Sequence, residues 1–282
     1  MIIDAHTHIL SAEMSLRRAE LCAAEEWFGQ CYGHPKAKSV TAQQLIASMD
    51  AGGIGMAVVT GFAFADLARC AVSNDYIIEA VQRYPDRLIG LAAVQPGAGD
   101  ATVYEAERCL NAGLRGVGEL LPDGQHFDVT DKALLQDLAA LLTSRAGVML
   151  VHSSEPVGHQ YGGKGQTVPA KILALATNFP ALKIIAAHWG GGLPFYELMP
   201  EVRAALANVY YDSAATTYLY DFSVFKSVRD TAGLDKILFA SDYPLLGQAR
   251  LVERIRNESG LNAVELAAVL GGNAARLFDL PL

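Results

Sequence analysis

Two histidines separated by one residue stand near the start of the chain, within the apolar stretch from Met1 to Leu10. In a β-strand, alternate side chains share a face, so His6 and His8 would point the same way. In a helix the same side chains would lie about 200° apart, since each residue turns the helix by about 100°. A strand would therefore present the two imidazoles as a pair of metal ligands. The pair alone is a short pattern, and a metal site requires further ligands downstream.

Four further polar residues stand at or just after the ends of later apolar runs. If those runs are parallel strands of a barrel, their carboxyl ends meet at one rim, where barrel enzymes build their sites. Imidazole and carboxylate ligands without thiolate predict one or two divalent ions, Zn²⁺ first, with Mn²⁺ and Fe²⁺ as alternatives. The candidate metal ligands are His6, His8, Glu119, His152, His188 and Asp242.

Asp242 and His188 are the candidate catalytic residues of this rim. Bound Zn²⁺ lowers the pKa of water from 15.7 to about 7, so a metal site of this kind supplies a nucleophile at neutral pH. Asp242 would either ligate the ion or take a proton from the bound water and pass it to a leaving group. His188 would ligate a second ion or polarise a substrate carbonyl.

Eight short apolar runs rich in β-branched residues recur along the chain, most of them followed by an amphipathic helical stretch. Near-continuous apolar character is typical of parallel strands that helices cover. Eight such units predict an α/β fold, a (β/α)8 TIM barrel forming one domain over residues 1–282. The predicted strands are residues 2–9, 54–60, 88–95, 114–120, 148–152, 183–188, 208–213 and 236–241. The predicted helices are residues 41–50, 68–84, 100–111, 131–146, 171–178, 195–207, 248–259 and 262–278.

The composition argues against several classes of function. No apolar run reaches the ~18 residues of a membrane span, and a strand starting at residue 2 leaves no room for a signal peptide. We therefore expect a cytoplasmic protein without membrane contact. The formal net charge of −8 and the scattered basic residues disfavour nucleic acid as a partner. A small-molecule substrate is the expectation that remains.

Two connections are candidates for contact with a substrate. Residues 10–40 form a long connection with several aromatic residues, which would be a lid over the barrel mouth or a helical decoration that packs its own rings. Residues 153–166 are rich in glycine and would form a mobile loop or a solvated surface turn. In the mobile loop, His159, Tyr161 and Lys164 would bind the substrate, Lys164 by pairing with a carboxylate. Asp4 is expected to orient a ligand histidine.

Several segments taken together resemble the amidohydrolase superfamily. They are Asp4 to His8, a histidine after the fifth strand, His188-Trp189-Gly190-Gly191, Ser241-Asp242-Tyr243-Pro244, and Gly272 to Phe278. The similarity is greatest to the branch with aminocarboxymuconate semialdehyde decarboxylase, resorcylate decarboxylases and lactone hydrolases. The resemblance implies a distorted barrel, often a homodimer, with one ion held by His6, His8, His152 and Asp242. His188 would then be a catalytic residue or lie beside the ligands.

Glu119 departs from that branch, in which the fourth strand usually supplies no ligand. Branches with two ions place a carboxylated lysine or a glutamate there as a bridge, and the run Gly116 to Leu120 fits a bridging glutamate. The alternative is a carboxylate that hydrogen-bonds to a metal-bound histidine and orients it. Both one ion and two ions therefore stay open.

The leading functional hypothesis is metal-dependent hydrolysis of an ester, lactone or amide bond in a small molecule through a metal-activated water. The main alternative is non-oxidative decarboxylation of a small aromatic or unsaturated acid, with Asp242 protonating carbon. A third alternative is a non-catalytic metal-binding barrel. The ligand set does not separate the first two, because both chemistries use the same residues.

Overall fold

The computed structural model describes residues 1–280, and within them eight parallel strands alternate with helices. The strands form two hydrogen-bonded groups, in the order β1-β2-β3 and β4-β5-β6-β7-β8. Their bounds are β1 Ile3–His8, β2 Met56–Thr60, β3 Leu88–Gly90, β4 Gly116–Leu120, β5 Val148–Val151, β6 Lys183–Ala186, β7 Val209–Asp212 and β8 Ile237–Leu238.

Backbone hydrogen bonds join the two groups into a closed, distorted barrel. Between β3 and β4, Arg115 N donates to Gly90 O over 2.8 Å, and Gly118 N donates to Ala92 O over 2.9 Å. Across the other seam, between β1 and the segment from β8 onward, Ala5 N donates to Phe239 O over 2.8 Å. The predicted TIM-barrel fold is therefore confirmed.

The strands at the two seams are shorter than predicted. The prediction for β3 ran to residue 95, but the regular strand ends at Gly90 and Leu91 and Ala92 bond to neighbours outside a regular ladder. The prediction for β8 ran over residues 236–241, but the strand covers two residues. The register of β1 against β2 also shifts between Asp4 and Thr7. Barrel closure bends these edges away from regular pairing, which a residue pattern does not reveal.

Helices lie outside the barrel, and their starts follow the capping rules. Thr41 and Asn262 each form a capping box, while Asp66 and Asp131 accept bonds from the first turn of the helices they precede. The longer helices are Ala42–Gly52, Leu67–Arg83, Asp100–Asn111, Lys132–Ser144, Pro169–Asn178, Val224–Thr231 and Gln248–Glu258. The shorter α-helical segments include Pro200–Ala205, Thr216–Leu219, Ala263–Ala267 and Asn273–Leu277.

The core has an inner and an outer part. Inside the barrel, alternate strand residues such as Ile3, Val58 and Leu150 pack together with residues of the last helix, including Leu277. Lys183 Nζ, at the start of β6, donates to Leu277 O over 3.3 Å, which places that helix at the amino-terminal end of the strands. The opposite end is left for a site. Within residues 1–280, every helix is too short or too polar to span a lipid bilayer.

The long first connection folds into three short helices, Ala12–Leu16, Arg18–Ala24 and Glu26–Tyr32. Their buried residues Met14, Leu21 and Phe28 pack on Phe62 and Phe64, which follow β2. The ring of Phe28 lies 4.9 Å from that of Phe62, edge to face. The connection thus has an apolar core of its own at the carboxyl end of the barrel.

Candidate active site

His6 and His8 share one face of β1, as the strand pattern predicted. His6 Nδ1 bonds to Asp212 Oδ2 over 2.8 Å, and His8 Nδ1 donates to Gly61 O over 3.0 Å. These bonds fix both rings, since each outer nitrogen has its own partner. The two Nε2 atoms are left 3.0 Å apart, facing the barrel mouth.

Glu119 reaches the same rim from β4. Gly118 has a φ of +135°, and a Cβ there would lie 2.4 Å from Leu150 O, so the strand requires glycine next to Glu119. The Glu119 carboxylate is buried. Its Oε2 lies 3.5 Å from His6 Nε2 and 3.6 Å from His8 Nε2.

His152 and His188 lie on the other side of Glu119. His152 Nε2 donates to Gly163 O over 2.9 Å, which turns Nδ1 toward Glu119 Oε1, also 2.9 Å away. His188 Nε2 lies 3.2 Å from His152 Nδ1 and 3.4 Å from Glu119 Oε1. The two imidazoles and the carboxylate oxygen form a second compact group.

His188 lies in a left-handed turn and not at the end of a strand. β6 ends at Ala186, and His188 and Trp189 both have positive φ, 56° and 59°. L-residues adopt this conformation at a cost, which the surrounding contacts must offset. Asp212 Oδ1 accepts a 2.8 Å bond from His188 N, and Trp189 Nε1 donates to Thr216 Oγ1 over 2.9 Å.

Asp242 completes the rim after β8. Its φ is 55°, and its backbone nitrogen donates to His6 O over 2.9 Å. Asp242 Oδ1 lies 3.3 Å from His8 Nε2. The structure thus brings together all six candidate metal ligands.

The donor spacing suits a metal ion. Ligands about 2.1 Å from one ion lie roughly 3.0–3.4 Å from each other in tetrahedral or octahedral geometry. The inward-facing atoms fall into two groups with mutual distances within 4.8 Å, and Glu119 belongs to both: His6, His8 and Glu119, and Glu119, His152 and His188. The residues present therefore fit a divalent ion.

The charges of the cluster shift its pKa values strongly. Burial raises the pKa of Glu119 and Asp242, but the imidazoles outweigh it: they hold the pKa of Glu119 well below its usual range and lower that of Asp242 to about 2. Burial lowers the pKa of His188, yet Glu119, Asp242 and Asp212 raise it to about 9. In the metal-free chain at neutral pH, both carboxylates are ionised and His188 carries a proton.

A cavity of about 740 Å³ opens on this cluster. His8, Glu119, His152, His188 and Asp242 line it on the barrel side. The aromatic rings of Trp27, Tyr32 and Phe62 and the side chains of Lys36 and Lys38 line it from the loops. The size is in the range of sites for small organic molecules.

Two of the three residues expected to bind substrate line this cavity, and all three line a neighbouring one. His159 and Tyr161 line the large cavity, and Tyr161 donates from its hydroxyl to Glu155 over 2.9 Å. Lys164 lines an adjacent cavity of about 340 Å³, and its ammonium donates to the carbonyls of Val157 and His159. These two bonds hold the ammonium to its own loop, and the pairing of Lys164 with a substrate carboxylate stays a prediction.

Asp4 contacts a ligand histidine through the backbone and not through the imidazole: His6 N donates to Asp4 Oδ1 over 3.4 Å. It accepts bonds from Ser241 N, Ser241 Oγ and Gln248 Nε2, and so ties β1 to the segment after β8. Burial raises its pKa to about 6 against these bonds. The orienting residue is Asp212, at the end of β7, which sequence reasoning missed. Examining the polar residues near the end of every predicted strand would have found it, because the predicted seventh strand ends one residue later, at Ser213.

The fold is a (β/α)8 barrel, and imidazoles and carboxylates lie together at the carboxyl ends of its strands. This combination is typical of barrel enzymes that use a metal ion. The chain belongs to the amidohydrolase family, whose sequence model matches residues 3–280.

Two curated relatives are similar over about three quarters of the chain. One is 2-amino-3-carboxymuconate-6-semialdehyde decarboxylase of Dictyostelium discoideum, 26% identical over 73% of this chain and 65% of the relative. The other is gamma-resorcylate decarboxylase of a Polaromonas species, 24% identical over 74% of this chain and 75% of the relative. The chain thus matches slightly less than two thirds of the first relative's length.

A solved structure of the same architecture contains a metal. It is 5-carboxyvanillate decarboxylase of Novosphingobium aromaticivorans with manganese and 4-hydroxy-3-methoxy-5-nitrobenzoic acid. The TM-score is 0.80, with 17% identity over 99% of this chain and 96% of that one. At this identity the likeness shows the fold.

These comparisons correct the leading functional hypothesis. Hydrolysis of an ester, lactone or amide was expected first, but the similar proteins are decarboxylases of carboxylic acids. The hypothesis of hydrolysis is therefore wrong. It rested on the metal ligands, and these serve hydrolysis and decarboxylation equally. The family match also removes the alternative of a non-catalytic barrel, since the chain belongs to an enzyme family.

Proposed function

We propose that this chain is a metal-dependent, non-oxidative decarboxylase of small aromatic or unsaturated carboxylic acids. The observation that carries the proposal is a single cavity lined both by Asp242 and by the rings of Trp27, Tyr32 and Phe62. A flat acid stacked among these rings would place its carboxyl group at the cluster of imidazoles and carboxylates. The names of the similar proteins support the same chemistry.

The metal would be held by His6, His8 and Asp242, with Glu119, His152 and His188 next to them. Imidazole and carboxylate ligands suit Mn²⁺ as well as Zn²⁺. When bound, the divalent ion supplies positive charge for the substrate carboxylate and a neighbouring oxygen. The outer bonds of His6 to Asp212 and of His8 to Gly61 keep the ligand nitrogens turned inward.

Asp242 is the residue that would move the proton. Because its pKa is lowered to about 2, it rests as a carboxylate and must first receive a proton. An acidic hydroxyl beside the carboxyl group of the substrate would provide it. Asp242 then protonates the ring carbon that carries the carboxylate, the bond from that carbon to the carboxylate breaks, and CO₂ leaves. The bonding electrons return to the ring, and solvent reprotonates the hydroxyl oxygen.

The loops would select the substrate by charge and shape. Lys36 and Lys38 are exposed and line the cavity, although the chain as a whole carries a net charge of −8. His159 and Tyr161 line the same cavity. We assign the two lysines to attraction of the anionic acid and the aromatic rings to the fit of its flat part.

The test is decarboxylation in D₂O by protein loaded with Mn²⁺ or Zn²⁺. We expect CO₂ release from 2,6-dihydroxybenzoate or 5-carboxyvanillate, or from a related hydroxybenzoic acid, with one deuterium at the vacated carbon. Asp242→Asn should lower turnover by at least ~10²-fold, because a proton donor typically contributes 10²–10⁴-fold. Asp137→Asn, on an exposed helical position, is the matched control.

Two results would overturn the proposal. The first is a metal-loaded protein that leaves the whole panel of acids intact. The second is an Asp242→Asn variant that decarboxylates as fast as the Asp137→Asn control.

A further inference from the structure

A second cavity, of about 340 Å³, adjoins the large one. His159, Tyr161 and Leu219 line both cavities, so these residues form a shared wall. The rest of the smaller cavity is lined by the loop after β5, by the segment that follows β6 and by Tyr220. Its volume is in the range of sites for small organic molecules. The reaction proposed above does not use this space.

Aromatic rings form much of the wall of the smaller cavity. The ring centroids of Phe195 and Tyr220 lie 6.4 Å apart, and Tyr161 and Tyr196 also line the cavity. Gly192 has a φ of +98°, and a Cβ there would lie 3.5 Å from the Tyr220 hydroxyl and 3.8 Å from the Phe195 ring. The lack of a side chain at Gly192 therefore leaves room between these rings. Such walls favour a flat ligand that stacks on aromatic faces.

Glu155 provides the smaller cavity with a hydrogen-bond acceptor. Its Oε2 accepts a 2.9 Å bond from the Tyr161 hydroxyl, whereas within residues 1–280 its buried Oε1 has no hydrogen-bond partner. Burial and the Glu155 carboxylate raise the pKa of both Tyr161 and Tyr220, so both hydroxyls keep their protons at neutral pH. A buried carboxylate oxygen without a donor is costly, and a hydroxyl group of a ligand would supply that donor.

The charges of the two cavities differ. The smaller cavity is lined by the carboxylate of Glu155 and the ammonium of Lys164, whose formal charges cancel. A neutral ligand keeps this balance, while the carboxylate of an acid would be repelled by that of Glu155. The large cavity is instead lined by the exposed ammonium groups of Lys36 and Lys38, which attract an acid. The two cavities therefore favour ligands of different charge.

We propose that the smaller cavity is a binding site for a neutral hydroxyarene, the class of compound that the proposed decarboxylation releases. The identity of this ligand as a product rests on the proposed function. Loss of CO₂ converts a hydroxybenzoic acid into a phenol, whose hydroxyl has a pKa near 10 and is uncharged at pH 7. The phenol stacks between Phe195 and Tyr220 and donates its hydroxyl hydrogen to Glu155. Its transfer across the shared wall leaves the large cavity free for the next acid.

The experiment is equilibrium dialysis of the full chain, loaded with Mn²⁺, against labelled resorcinol and 4-hydroxy-3-methoxy-5-nitrobenzoic acid. Both ligands are counted, each alone and both together. We expect resorcinol and the acid to bind to the same chain at the same time. Glu155→Gln should weaken resorcinol binding about 10-fold, because a hydrogen bond to a charged group is lost, and should leave binding of the acid unchanged. Glu79→Gln, at an exposed helical position, is the matched control.

A second pair of variants keeps the test independent of any folding defect in the Glu155 variant. Phe195→Ala should also weaken resorcinol binding, while Tyr104→Ala, at an exposed position of another helix, should retain it. Displacement of resorcinol by the bound acid would overturn the inference, as would unaltered resorcinol affinity in both Glu155→Gln and Phe195→Ala. A chain that releases CO₂ from the acids but does not bind resorcinol beside the acid rejects this inference alone. A chain that binds both ligands together but releases no CO₂ supports the hydroxyarene site and rejects the proposed function.

Discussion

Asp212 acts on two histidines from different strands. One oxygen accepts from His6 Nδ1, and the other accepts from the backbone nitrogen of His188. A carboxylate in this position orients a ligand ring and increases its basicity. It also supports the left-handed turn that presents His188 to the cavity. A single side chain thus links His6 and His188 to β7.

The raised pKa of His188 predicts that metal binding depends on pH. A proton and a metal ion compete for the same nitrogen lone pair. Because the pKa of His188 is raised to about 9, metal must displace a proton throughout the neutral range. Metal affinity should therefore rise as pH increases from 6 to 9 and level off above. The check is titration calorimetry at pH 7 in two buffers of different ionisation enthalpy, which should report at least one proton released.

The matched comparison for this prediction is His188→Asn, which should release fewer protons than the unaltered chain. Equal affinity at pH 6 and pH 9 without proton release would contradict it. His34→Asn is the control, because His34 is exposed and its Nδ1 accepts a bond from Lys36 N within its own loop.

At the scale of elements, the first connection supplies what the barrel lacks. Its helices place Trp27 at 6.5 Å from the ring of His152, edge to face. It also contributes Lys36 and Lys38 to the cavity, where the barrel residues are mainly imidazoles and carboxylates. The connection therefore has both of the roles that were given as alternatives: it packs its own aromatic rings, and it lines the barrel mouth.

Reversing the charge of both lysines should weaken substrate capture. Lys36→Glu combined with Lys38→Glu should raise the KM for an aromatic acid about 10-fold and leave kcat within a factor of two, because the lysines act before the chemical step. The dependence of kcat/KM on ionic strength should also become flatter. Steady-state kinetics from 0.02 to 0.5 M salt measure both, with Lys132→Glu on an exposed helix as control. An unchanged KM would contradict the assigned role.

Part of the arrangement of strands and of the site could be predicted from the sequence. The strands were predictable because burial on both faces leaves apolar runs, and the rim followed because parallel strands end together. His188 was expected at a strand end but lies in a turn beyond β6. Its position depends on Asp212, which is distant in sequence. The contacts of Asp4 with Ser241 and Gln248 could not be predicted for a related reason: they form across a seam of the barrel that residue order does not encode.

At the scale of the whole molecule, the site is a point where most strands converge. The six candidate ligands come from the ends of β1, β4, β5, β6 and β8 or the residues that follow them. An ion bound by all of them would connect segments that unfolding separates. Metal binding should therefore stabilise the complete fold, since the unfolded chain cannot hold these ligands in place.

Removal of metal should lower the melting temperature. Ligand at 100 times its Kd stabilises a folded protein by about 2.7 kcal/mol, which corresponds to roughly 5 °C for a domain of this size. Calorimetry of the metal-loaded chain with and without chelator measures the shift. A His6→Asn and His8→Asn double variant should show a smaller one. The same melting temperature in metal-loaded and stripped protein would contradict the prediction.

The hydrogen bonds between Asp4 and Ser241 can form only after most of the chain has been synthesised. The two residues are 237 positions apart, and their bonds join the first strand to the segment that carries Asp242. On a ribosome, His6 and His8 emerge long before Asp242 and before the seam that seats them. The nascent chain therefore exposes a pair of imidazoles without their enclosing partners, and we expect stable metal acquisition to be a post-translational event.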